Sequence, residues 1–146
     1  NFVNKIWNAS RFVEMLIDRL KEKNPDLKIS SDINFDNLLS VDKDILSKLH
    51  KITNSTTKNI ENYRFGQASE DLYQFFWHEF CDVYIESAKD RGEETIPVLL
   101  TVLETSLKLL HPFIPFVTET VYQNLQEKFN FKKELLISSS WPKNEK

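Results

Sequence analysis

The sequence predicts an all-α fold, an antiparallel bundle of four to five helices, on three observations. Apolar residues recur at three- and four-residue steps through most of the chain. Glycine occurs only twice in 146 residues, too few for the positive-φ positions that hairpins and phosphate loops use. Prolines fall where helices should stop or start, at Asn24-Pro25, His111-Pro112 and Pro115.

The first helix is expected from Phe2 to about Lys21, with apolar residues at 2, 3, 6, 9, 13, 16, 17 and 20. Residues 24–40 are polar and read as a loop. Ser40 or Asp42 caps a second helix running to about Asn62, with Ile45, Leu46, Leu49, Ile52 and Ile60 inward. The third, Phe65 to Lys89, is the most apolar. At 100° per residue Phe65, Leu72, Phe76, Phe80 and Val83 share one face, flanked by Ala68, Tyr73, Trp77 and Tyr84. A turn at Asp90–Glu94 leads to a fourth helix, Thr95 to Leu110, and Pro115 opens a fifth that reaches Lys128. Residues 1–128 thus form the bundle. Residues 129–146 form a tail toward a C-terminal region, with a strand-like Leu135-Leu136-Ile137.

Composition bounds the function. The apolar share is 40% and the charged share 28%, ordinary for one domain. No apolar run approaches a membrane span. One cysteine, Cys81, excludes a disulfide framework and points to a reducing, cytoplasmic setting. Net charge is −3, yet residues 1–64 carry 11 Lys/Arg against 9 Asp/Glu, so an anionic partner prefers the N-terminal half. His78 and Cys81 lack further ligands for a metal site. A thiol on an apolar helix is inert, and the paired carboxylates point to different helix sides. Nothing supports catalysis within these residues.

The first helix holds the informative pattern. Opposite its apolar stripe stand Asn4, Asn8, Arg11 and Met15, with Lys5, Trp7, Phe12 and Asp18 beside them. Asn amides and an Arg fork match base edges in a single-stranded RNA loop, and an aromatic ring beside them offers a stacking platform. Asn4, Asn8, Arg11 and Phe12 are therefore the base-reading candidates. Lys5, Lys43, Lys48 and Lys51 are the phosphate candidates. The competing reading is a solvated face, or a protein-docking surface built on Trp7, Phe12 and Met15. Glu79 falls among Leu72, Phe75, Phe76 and Val83, where a carboxylate needs a cation. Arg64 or Arg11 is the expected partner, and Arg64 leaves Arg11 free.

Three segments together resemble one family. Phe2-Val3-Asn4-Lys5-Ile6-Trp7-Asn8-Ala9-Ser10-Arg11-Phe12 resembles the opening helix of the anticodon-binding domain of class Ia aminoacyl-tRNA synthetases. Tyr63-Arg64-Phe65 with Phe75-Phe76-Trp77-His78-Glu79-Phe80-Cys81-Asp82 is similar to the valyl branch. Leu109-Leu110-His111-Pro112-Phe113-Ile114-Pro115-Phe116-Val117-Thr118-Glu119 matches too, as do comparable isoleucyl and leucyl stretches, and Ser140-Trp141-Pro142 fits the end of the bundle. Val83 stands where that branch commonly has tryptophan, and Gly66 where it often has asparagine. The resemblance implies a monomeric module that docks the anticodon stem-loop of valine tRNA, with Arg11 the leading base contact. ATP and Mg would belong to a separate catalytic domain of the parent enzyme, and editing of misactivated threonine to another. The HIGH and KMSKS signatures of that catalytic domain do not occur here. The same domain of an isoleucyl, leucyl or methionyl enzyme is the alternative within the class.

Overall fold

The computed structural model describes residues 1–129 and 134–143, so part of the predicted tail, 130–133 and 144–146, lies outside the described residues. The helices are α1 (Phe2–Lys23), α2 (Ser40–Glu61), α3 (residues 65–88), α4 (Ile96–Leu110) and α5 (Pro115–Lys128), and α2 and α3 run antiparallel, since Lys48 meets Glu79 and Asp42 meets Tyr84. No strand occurs among the described residues. The predicted all-α fold holds, with the boundaries of α4 and α5 within a residue of expectation.

The side chain of Asn1 caps α1 by accepting from the amides of Val3 and Asn4, at 2.8 and 3.4 Å. Ile6, Ala9, Val13, Leu16 and Ile17 are buried. Lys21 and Lys23 sit in the last turn, where cations favour the helix dipole. α2 starts differently from expectation. Leu39 is its cap residue, and Asp42 reaches back from inside the first turn to accept the Leu39 amide at 2.9 Å. At the far end Arg64 N donates to Asn59 O at 2.7 Å and Tyr63 N to Ile60 O at 3.1 Å. This is the paired closure of a Schellman turn. Its left-handed position is filled by Tyr63, with φ 60°, where glycine is usual.

α3 departs from the expected geometry. It is α-helical over Phe65–Gln74, π-helical over Phe75–Ile85 and α-helical again over Glu86–Ala88. The wider i→i+5 turn slips the phase assumed at 100° per residue. The buried set is therefore Ala68, Leu72, Phe75, Phe76, Phe80, Tyr84, Ile85 and Ala88, while Phe65 and Val83 are half exposed. Trp77 is only half-buried, its ring about 6.4 Å from Phe2.

α4 is the axis of the core. It buries Val98, Leu99, Leu100, Val102, Leu103 and Leu107 completely, as a helix apolar nearly all round should. The segment expected as a polar loop packs Leu27, Ile29, Ile33 and Leu38 onto that core, and Thr101 Oγ1 donates to Ser31 O at 3.1 Å. The strand-like Leu135-Leu136-Ile137 is not a strand. A 3-10 turn spans Leu136–Ser138, because the backbone finds side-chain partners on α5 instead of a neighbouring strand. Gln126 accepts from Glu134 N at 2.8 Å and donates to Glu134 O at 3.0 Å, and Glu119 accepts from Leu136 N at 2.9 Å. Trp141 Nε1 donates to Thr57 Oγ1 at 2.9 Å, tying the tail to α2.

Candidate nucleic-acid interface

The α1 cap and stripe fix which way its polar row points. Burial of Ile6, Ala9, Val13 and Ile17 turns Asn4, Asn8, Arg11 and Met15 outward, and all four are exposed. Among the described residues Arg11 has no carboxylate within ion-pair distance, and the side chains of Asn4 and Asn8 make no hydrogen bond. Three polar heads on successive turns are therefore available to a partner.

Phe12 and Trp7 are half-buried against the core. That weakens a protein-docking surface built on Trp7, Phe12 and Met15, since Met15 alone of the three is fully outward, 69% exposed. Phe12 does present part of its ring to a groove of about 620 Å³ between α1 and α3, lined also by Lys5, Asn8, Cys81, Asp82 and Glu86. Sequence reasoning had not joined these α3 residues to the α1 row. The π segment sets their phase, and periodicity at 100° per residue carries no signal for it.

The four lysines divide. Lys5 reaches Asp82 at 3.4 Å and lies 4.8 Å over the Trp77 ring. Lys48 sits between Glu79 at 2.6 Å and Asp44 at 3.0 Å, and its ammonium is held above the usual range chiefly by the Glu79 hydrogen bond. Lys43 and Lys51 are exposed, with no ion pair among the described residues. Lys48 approaches α3 from one side and Lys5 from the other, so the α1 row and the α2 lysines flank α3 instead of forming one patch.

The expected Glu79–Arg64 pair is replaced. Arg64 is exposed at the α2–α3 corner, and Glu79 meets Lys48 with both side chains more than a third exposed. A surface pair of this kind contributes little. The buried ion pair is elsewhere. Asp42, at 1% side-chain exposure, accepts Arg91 Nη1 at 2.7 Å and Tyr84 Oη at 2.6 Å. Burial opposes the ionised carboxylate, but Arg91, Tyr84 and the Leu39 amide together hold Asp42 below its ordinary value. Arg91 had no sequence signal, because the two partners are 49 residues apart. Burial pushes the Cys81 thiol up to about 12, the direction that disfavours the reactive thiolate.

Residues 42–146 match the family model of the anticodon-binding domain of tRNA ligase. The chain belongs to that anticodon-binding domain family. It is 44% identical over 151 residues to the valine–tRNA ligase of Clostridium tetani and 41% over 150 residues to that of Bacillus cereus. It is also 42% identical over 146 residues to that of Pseudothermotoga lettingae. These alignments cover 97% of the chain, α1 included, but the chain spans only about 16% of the length of such relatives. No described helix is long and apolar enough to cross a membrane.

Proposed function

We propose that this domain docks the anticodon stem and loop of valine tRNA. It holds that tRNA while a catalytic domain elsewhere in a longer parent polypeptide joins valine to the tRNA 3′ end in an ATP-dependent reaction. ATP and Mg bind that other domain, and the residues described above supply neither the nucleotide site nor the chemistry. The parent enzyme acts as a cytoplasmic monomer.

The observation that carries the reading is the unpaired, outward row of Asn4, Asn8 and Arg11 on α1. Arg11 offers a rigid donor fork for a base edge or phosphate, the two amides each pair a donor with an acceptor, and Phe12 lines the neighbouring groove. Lys43 and Lys51 serve the sugar–phosphate backbone on the other flank of α3, contacts that position without reading sequence.

The test is aminoacylation by the full-length enzyme. Arg11→Ala should raise the KM for tRNA by about 10- to 100-fold, the loss of one good base contact, with ATP-dependent valine activation unchanged. Equal tRNA kinetics in variant and wild type would remove Arg11 from the interface. Binding to valine tRNA should weaken steeply with salt and weaken again when the anticodon bases are exchanged. Salt-insensitive binding would count against RNA docking by this domain.

A further inference from the structure

The groove between α1 and α3 is unusual for a face offered to RNA, because it holds carboxylates. The two helices run in the same direction along it. Phe2 stacks on Tyr73 at 4.1 Å between centroids, and Lys5, further along α1, reaches Asp82. Lys5, Asn8 and Phe12, on successive turns of α1, line one wall, and Asp82 and Glu86, one turn apart on α3, line the other. Its volume of about 620 Å³ lies within the range of small-ligand pockets, ample for one planar base.

Stability does not account for either carboxylate. Asp82 has Lys5 Nζ 3.4 Å from Oδ1 and His78 Nδ1 3.1 Å from Oδ2, with its side chain 49% exposed. Glu86 pairs with Lys89, and both side chains are more than half exposed. Ion pairs this open contribute little, and on an RNA-facing surface negative charge opposes phosphate. The acidic wall therefore turns the backbone away and favours the part of a nucleotide that carries donors but no charge. That part is the base. A carboxylate only accepts, at about four lone-pair sites, so Asp82 keeps acceptor capacity beside its two partners. The matching donors on a base are exocyclic amines, above all cytosine N4.

We infer that Asp82 is a specificity-determining residue, accepting a hydrogen bond from the exocyclic amine of an anticodon base seated against Phe12 in this groove. This role rests on the docking of the anticodon loop proposed above and deepens it, naming the base edge selected. Valine codons begin with guanine, so the last base of a valine anticodon is cytosine. Its N4 amine meets Asp82. Its N3 takes a donor from the Asn8 amide, a side chain that makes no hydrogen bond among the described residues. Isoleucine and methionine codons keep the middle base of valine codons but begin with adenine, so their anticodons end in uracil. Uracil turns O4, an acceptor, toward the carboxylate, and neither oxygen has a proton to share. Lys5, held between Asp82 and the Trp77 ring at 4.8 Å from its centroid, offsets the charge of the carboxylate.

The experiment uses the full-length enzyme and three transcripts of valine tRNA. One is unchanged, one has the last anticodon base changed to uracil, and one carries pyrimidin-2-one there, which lacks only the amine. The readout is the ratio of kcat/KM for aminoacylation between transcripts. Wild type should favour the unchanged transcript over each of the others by about tenfold or more, the worth of one good base contact. Asp82→Asn, of the same size but able to donate as well as accept, should cut the preference over uracil about tenfold. Asp82→Ala should cut the preference over pyrimidin-2-one by a similar factor. A purely structural role would lower all three transcripts together and leave the ratios where they were. Ratios equal to wild type in both variants would overturn the role of Asp82 while leaving anticodon docking in place. A wild type indifferent to uracil and pyrimidin-2-one would overturn it as well. Docking itself falls on separate results, salt-insensitive tRNA binding and an Arg11→Ala enzyme with unchanged KM for tRNA.

Discussion

Arg91 grips Asp42 through both guanidinium ends, Nη1 to Oδ1 at 2.7 Å and Nη2 to Oδ2 at 2.9 Å, across 49 residues of sequence. Tyr84 Oη and the Leu39 amide take the remaining lone pairs. One carboxylate therefore ties the start of α2 to the π segment and to the turn before α4. Removing one partner strands the other charge inside. Arg91→Ala should cost about 3–5 kcal/mol of stability, read by denaturant unfolding. A loss below about 1 kcal/mol, the range of surface pairs, would show the pair to be solvated.

The same site sets an acid limit. Asp42 titrates below its ordinary value of 3.8 in the folded chain. Its stabilising contribution is thus complete above that value and is lost as pH falls through the lower, folded one. Melting temperature should drop faster below about pH 4 in wild type than in Asp42→Asn, which lacks the titration. Glu104 acts oppositely, because burial raises its carboxyl. Glu104→Gln should be more stable than wild type at neutral pH, with the advantage shrinking on acidification. Parallel pH profiles for all three proteins would contradict both assignments.

Cys81, pushed up to about 12 mainly by burial, holds almost no thiolate at neutral pH. Alkylation by iodoacetamide should be about a thousandfold slower than for a free thiol, whose pKa is near 8.5, and should become fast on unfolding. Rapid labelling of the native protein would mean that the α1–α3 groove opens far more widely than its static geometry.

The π phase of α3 makes a sharp mutational contrast. Val83 is 49% exposed and Tyr84 fully buried, whereas uniform α-helical spacing puts Val83 in the core. Val83→Lys should change stability by less than about 0.5 kcal/mol. Tyr84→Phe should cost about 1–3 kcal/mol by leaving Asp42 a hydrogen bond short. Reversed magnitudes would restore the α register.

The helices themselves were legible because their causes are local. Helical spacing in 2–20, the proline at 25 and the pair of prolines at 112 and 115 act within a turn or two of chain, and the observed ends of α1, α4 and α5 follow them. The outward row of Asn4, Asn8 and Arg11 was legible for the same reason, since a buried stripe fixes the opposite face. Glu79 was misplaced because pairing is not local. Arg64 is near α3 in sequence, but antiparallel packing of α2 brings Lys48 to it instead. Leu135 to Ile137 read as extended because only the side chains of Gln126 and Glu119, on α5, show that their backbone partners are not a strand.

By itself, then, the sequence determined an all-helical bundle, the helix limits, the polar face of α1 and the resemblance to a tRNA-binding domain. Each follows from residues within one or two turns of each other, or from a contiguous pattern. Tertiary structure alone decided which charges pair, where α3 shifts to π geometry, and that the tail folds back on α5. Those outcomes depend on which helices become neighbours. A buried charge takes whatever partner the packing delivers, and that is settled by the shape of the whole core.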